Sequence, residues 1–151
     1  MLQIDGADKL HELARVLKVA GEKDLRRQVL RNLTRAMKPV RVEAKRSLVE
    51  TMPKRGGLAR AKARQVRFRT STRTGASTAG VRLLATGGQV RRIDREGQFR
   101  HPVFNRHDVP WESQRVNAGW FTRPTRAAAP QVRAEVERAL NDVARQIEVQ
   151  L

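Results

Sequence analysis

From Glu22 onward, Leu25, Val29, Leu33, Met37, Val40, Ala44 and Leu48 recur every three or four residues, while Arg26, Arg27, Arg31, Arg35, Arg41 and Lys45 fall elsewhere on the surface. That spacing is one apolar stripe along a helix. Pro39 sits inside the stripe and lacks the N–H that a helix interior uses, so it must kink the helix or split it in two. Upstream, Leu10, Leu13, Ala14 and Leu17 predict a shorter helix, with Asp5 or Asp8 as caps and Gly21 as a stop. Met52-Pro53-Lys54-Arg55-Gly56-Gly57 ends the helical half.

The period then changes. Val66, Phe68 and Thr70 alternate with Arg67 and Arg69, which predicts a half-buried strand with a basic face. Thr72 to Gly80 reads as a turn and Val81-Arg82-Leu83-Leu84 as the return strand. Gly87-Gly88 breaks the chain again before a predicted third strand, Val90 to Ile93, and short extended pieces follow at Val103-Phe104 and Arg115-Val116. Thr122 is a candidate cap with Pro124 close behind it, and Val132, Val136, Leu140, Val143 and Ile147 form a narrow seam down a terminal helix. The order predicts an α+β fold: N-terminal helices, a small antiparallel sheet with long basic loops, and a C-terminal amphipathic helix. A chain of 151 residues is expected to be one domain. Its helical part spans 1–52, its sheet and basic loops 53–121, and its C-terminal helix 122–151.

Charge adds an asymmetry to this layout. The formal net charge is +17, and the stretch from Thr51 to Ile93 holds eleven Lys or Arg and no Asp or Glu. Such a stripe attracts phosphates, anionic lipid or an acidic protein surface, less so as salt rises. It contains Phe68 as its lone aromatic, so it is not built as a base-stacking platform. A solvated sheet face with mobile loops is the reading preferred over nucleic-acid contact. The chain has no cysteine, which excludes disulfides, zinc ribbons and thiol nucleophiles and suits a reducing compartment. MLQIDGADKLHEL lacks the apolar run of a signal peptide, and no run approaches the ~18 apolar residues of a membrane span, so a soluble cytoplasmic product is expected.

Candidate chemistry is sparse. Asp94, Glu96, His101, Asn105, His107, Asp108 and Glu112 are metal-ligand types clustered beside the basic stripe, as in a metal-dependent nuclease. Their spacing matches no ligand pattern, and turn-forming Asp and Asn need no metal to explain them. Glu43-Ala44-Lys45 has the E-x-K form of restriction-type nucleases but falls in a helical pattern, and the paired glycines lack the Lys-Ser/Thr of a phosphate loop. No nucleophile, base and acid can be assembled, and nothing calls for a cofactor.

Aromatic residues are concentrated instead. Five of six lie between Phe99 and Phe121: Phe99, Phe104, Trp111, Trp120 and Phe121. Enclosed aromatics dominate burial energetics, so this segment anchors either the fold or a partner. Phe104, Trp111, Trp120 and Phe121 are the candidate anchors. Core is the expected place for both tryptophans, with Trp120 against Val132 or Val136 and Gly119 allowing a turn that a Cβ would obstruct.

Trp111-Glu112-Ser113-Gln114, then Gly119-Trp120-Phe121-Thr122-Arg123-Pro124 and an amphipathic helix over Ala127–Ala144, resemble the neck or tail-completion proteins of long-tailed bacteriophages. In that family a tryptophan-bearing strand leads to a G-W-F-x-x-P-like turn that opens the C-terminal helix. Pro53-Lys54-Arg55-Gly56-Gly57-Leu58-Ala59 is similar to the family's P-x-x-[ST]-G-x-L segment, with Gly56 where Ser or Thr is usual. Arg95-Glu96-Gly97 through His101-Pro102 loosely resembles its E-x-G-T stretch. The resemblance implies a structural virion protein without enzymatic activity, at the head-to-tail connector. It implies a ring of copies, often sixfold, with connector or stopper and tail-tube proteins as neighbours, nonspecific contact with packaged DNA and no membrane. It also implies residence in the virion after assembly in the host cytoplasm. Two other readings stay open from the residues: a basic, sequence-nonspecific nucleic-acid-binding protein, and the metal-dependent nuclease.

Overall fold

The computed structural model describes residues 2–4, 23–74, 79–103 and 106–150. The helix predicted over Leu10–Leu17 lies outside them. Helix α1 (Lys23–Ala36) and helix α2 (Lys38–Thr51) are separated by Met37 alone. Pro39 is the second residue of α2, a first-turn position where its missing N–H leaves no helical bond unmade. The predicted split occurs there, yet Val29, Leu33, Met37, Val40, Ala44 and Leu48 are all buried, so one stripe runs across both helices.

Helix α3 (Leu58–Gln65) lies where the pattern predicts no element. Strands β2 (Arg67–Thr74) and β3 (Ala79–Thr86) occur where two strands are expected, but both run into the predicted Thr72–Gly80 turn, so that four residues join them, too few for a parallel crossover. Strand β1 (Leu2–Ile4), which the sequence reading did not include, pairs antiparallel with β3 in the register Leu2↔Leu83 and Ile4↔Val81. Strand β3 is therefore the centre of a sheet ordered β1-β3-β2, and its inward residues Val81 and Leu83 are buried.

The predicted third strand is a helix, α4 (Val90–Glu96). Val90 and Ile93 are buried at a spacing of three, which is a helical and not an alternating pattern. Strands β4 (Gln98–His101) and β5 (Glu112–Arg115) form a second, two-stranded antiparallel sheet, with Phe99 opposite Gln114 and Arg100 opposite Ser113. Arg115 belongs to an extended segment as expected. Val103 does not: it opens a tight turn closed by the Arg106 N–H on its carbonyl at 2.9 Å. Helix α5 (Thr122–Gln150) runs for 29 residues and buries Val132 and Val136.

The fold is α+β. The chain divides into two compact units, the first holding Met1–Arg41, Arg69–Leu84 and Arg126–Leu151, the second Val42–Phe68 and Ala85–Thr125. Aliphatic residues make the described core of the first unit: Val29, Leu33, Met37, Val40, Val81, Leu83, Val132 and Val136. The second unit buries the aromatics Phe99, Trp120 and Phe121 together with Leu48, Met52, Val66, Val90 and Ile93.

Candidate interaction surfaces

The second unit is organised around Trp120, whose side chain is fully enclosed. Its indole N–H donates to the Val90 carbonyl at 3.1 Å, so the polar edge of the ring is satisfied inside the core. Phe68 meets it edge-on at 6.3 Å and Phe121 lies tilted at 5.5 Å. Val132 and Val136, the expected partners, belong to the first unit. Gly119 has φ +85°, as the turn requires, and a Cβ there would stand 3.0 Å from Arg123 Nε. The obstruction expected there thus comes from a side chain, not from backbone.

Asp94 ties α4 to this turn. One carboxylate oxygen accepts the N–H groups of Phe121 and Thr122, at 2.8 and 3.0 Å, and the other accepts the Thr122 hydroxyl. The Asp94 backbone carbonyl takes the Gly119 N–H at 2.8 Å. The start of α5, where free N–H groups and the positive end of the helix dipole lie, is thus capped by a carboxylate from a different helix. Thr122, the predicted cap, is the first helical residue and a donor to the true one.

On the opposite end of α4, Gly87, Gly88 and Gln89 have φ of +86°, +55° and +61°. Three successive left-handed residues make a single left-handed turn, closed by the Val90 N–H on the Gly87 carbonyl at 3.1 Å. Gln89 is a strained choice for that conformation. Its side-chain amide offsets the strain by bonding both backbone groups of Arg100, donating to the carbonyl at 2.7 Å and accepting the N–H at 2.9 Å. Gly87 packs on the end of α3 so closely that a Cβ would lie 2.3 Å from the Gln65 carbonyl oxygen.

Lys62 is the residue that sequence reasoning missed. It is 6% exposed, on the inner face of α3, with its ammonium 5.1 Å from the centroid of the Phe99 ring and 3.3 Å from Gln65 Oε1. Burial lowers its pKa from the ordinary 10.5. The available signal is the four-residue spacing of Leu58, Lys62 and Val66, which puts a lysine into an apolar row.

The metal-type residues are occupied separately. Asp94 caps α5, Glu96 pairs with Arg92 at 3.1 Å, and Asp108 pairs with Arg106. The Arg106 guanidinium holds the Asp108 carboxyl below its usual range. His101 sits beside the Phe99 ring at 5.7 Å. Among the described residues no three His, Asp or Glu side chains are placed to share a metal ion.

Of the candidate anchors, Trp120 and Phe121 come together in the core, and Phe104 lies outside the described residues. Trp111 departs from the core expectation. It is 39% exposed at the entrance to β5, with His107 edge-on at 5.7 Å and Arg100 Nη2 donating to its carbonyl at 3.3 Å. Among the described residues the other exposed large apolar side chains are Val42, Val49 and Val149. Among the described residues no helix is long and apolar enough to cross a membrane. Comparison with protein-family models, with curated proteins and with solved structures finds no match.

Proposed function

We propose that this chain is a structural subunit of the head-to-tail connector of a long-tailed phage, completing or joining the tail as one member of a ring. The observation that carries the reading is the Gly119–Pro124 turn. The segment that resembles the family's helix-opening motif builds a buried tryptophan, a left-handed glycine and a capped helix start in one place. A structural role also agrees with how the acidic residues are used, since Asp94, Glu96 and Asp108 are committed to a cap and two ion pairs.

A closed ring needs a heterologous contact, one patch of each subunit on a different patch of the next. Trp111 is the described aromatic available for it, because Trp120, Phe121 and Phe99 are consumed by the core. Exposed Trp is a preferred anchor of such contacts. The partners are then further copies of the chain and the neighbouring connector and tail-tube proteins.

The test is the particle itself. Virions purified from the phage that encodes this chain are expected to contain it by quantitative mass spectrometry, at the few copies of a single ring. Cryo-electron microscopy is expected to put that ring at the neck. Particles that lack the chain overturn the reading.

A further inference from the structure

We infer that the face of the second unit built from α3 and α4 is a docking surface for the phosphodiester backbone of duplex nucleic acid, read without regard to base sequence. The inference does not depend on the connector reading.

Two short helices each carry a pair of exposed arginines one turn apart, Arg60 with Arg64 on α3 and Arg91 with Arg95 on α4. Residues spaced by four lie side by side on a helix, so each pair presents two guanidinium forks together. The C-terminal end of α3 meets the turn that opens α4, where the Gly87 backbone abuts the carbonyl of Gln65, the residue after Arg64. An open groove runs along the turn and α4, lined by Gly87, Gly88, Gln89, Arg91, Arg92 and Arg95 among others.

The carboxylates of α4 are already engaged, Asp94 with the start of α5 and Glu96 with Arg92. Among the described residues Arg60, Arg64, Arg67, Arg91 and Arg95 enter no ion pair, and the one carboxylate in the groove, Glu96, is taken by Arg92. Lys54 and Arg55, exposed just before α3, extend the same charge. No Asp or Glu occurs between Thr51 and Ile93 to screen it.

The kind of partner follows from what is missing. Protein interfaces are centred on aromatic and apolar anchors with charge at the rim. Among the described residues the exposed large apolar ones are Val42, Val49, Trp111 and Val149, none of them on α3 or α4. Single-strand readers stack bases on exposed aromatics, and Phe68 is turned instead toward Trp120. What remains is charge arrayed for bidentate contact, which suits phosphate oxygens and carries no base information.

Fluorescence anisotropy with a random-sequence 30-base-pair duplex, titrated between 50 and 200 mM salt, tests this. Each lost phosphate contact lowers the magnitude of the log K against log salt slope by about 0.9. Arg60→Gln/Arg64→Gln and Arg91→Gln/Arg95→Gln are each expected to reduce it by about 1.8, with melting temperatures unchanged. The affinity deficit of each variant should then shrink by about tenfold across that salt range. Arg126→Gln/Arg133→Gln removes the same charge from exposed sites on α5 and is expected to leave the slope near wild type. Three results overturn the inference: no binding at 50 mM salt, an equal loss from the α5 pair, or displacement of the duplex by polyglutamate at equal charge concentration. The last assigns the surface to an acidic protein.

Discussion

Asp94 caps a helix that begins 28 residues after it, accepting the backbone N–H and the hydroxyl of Thr122 through its two carboxylate oxygens. With the Phe121 N–H as a third donor, one side chain fixes where α5 starts and holds α4 against the Trp120 turn.

Asp94→Ala is expected to destabilise the chain by roughly 1–3 kcal/mol, since it removes a cap and leaves part-buried donors unpaired. Asp94→Asn keeps an acceptor oxygen and should lose about half as much. Urea unfolding midpoints separate the two.

Trp120→Ala is expected to cost ~3–5 kcal/mol through lost burial and a residual cavity. Trp111→Ala, at an exposed site, should cost less than ~1 kcal/mol. A Trp111→Ala variant that melts like wild type and no longer enters particles is the outcome expected of a ring anchor. Equal losses of stability from both substitutions would place Trp111 in the core.

Lys62 sets a pH dependence. Its folded pKa lies below its ordinary value, so in the interval between the two the unfolded chain holds a proton that the folded chain has released. Stability should therefore rise as pH climbs through that interval toward 10.5 and fall as pH drops through the lowered value. Lys62→Met removes the burial penalty and should raise stability at pH 7 by about 1 kcal/mol. In melting curves from pH 7 to about 10.5, the upward trend should be weaker in the variant.

Gly87→Ala and Gly119→Ala test two kinds of obstruction at similar φ. At Gly87 the new methyl meets the fixed Gln65 carbonyl, whereas at Gly119 it meets the mobile Arg123 side chain. Both carry the ~1–2 kcal/mol of a left-handed alanine. Gly87→Ala should exceed that clearly in thermal unfolding, and Gly119→Ala should not.

The long-range periodicity was readable from sequence because it is redundant: six buried positions from Val29 to Leu48 repeat one message. The same holds for the alternation that marks β2 and for Val132 and Val136 in α5. Helix α3 stayed hidden because its inner row contains Lys62, a residue that periodicity counts as polar. Helix α4 has only seven residues, and its start depends on a left-handed turn whose third member is Gln89, where Gly or Asn would have announced it. Strand β4 carries one apolar residue, Phe99, and is held by β5 and by Gln89, contacts that no local window spans. Among the candidate anchors, burial of Trp120 was legible because a helix start and a glycine turn adjoin it. Exposure of Trp111 was not, since its flanking residues carry no apolar period that would separate a core indole from a surface one.

The Gln89 amide, described above as relief for a strained turn, also stands where a neighbouring strand would be. It satisfies both main-chain groups of Arg100, which must therefore point away from β5. Arg100 lies opposite Ser113, so the N–H and C=O of Ser113 point outward as well, on the other side of the sheet. One rim of this small sheet is thus closed at Arg100 by a side chain from within the molecule. On the other rim the Gln114 amide donates to the Arg115 carbonyl at 3.2 Å, so each edge of the sheet is occupied in part by a glutamine of the same unit.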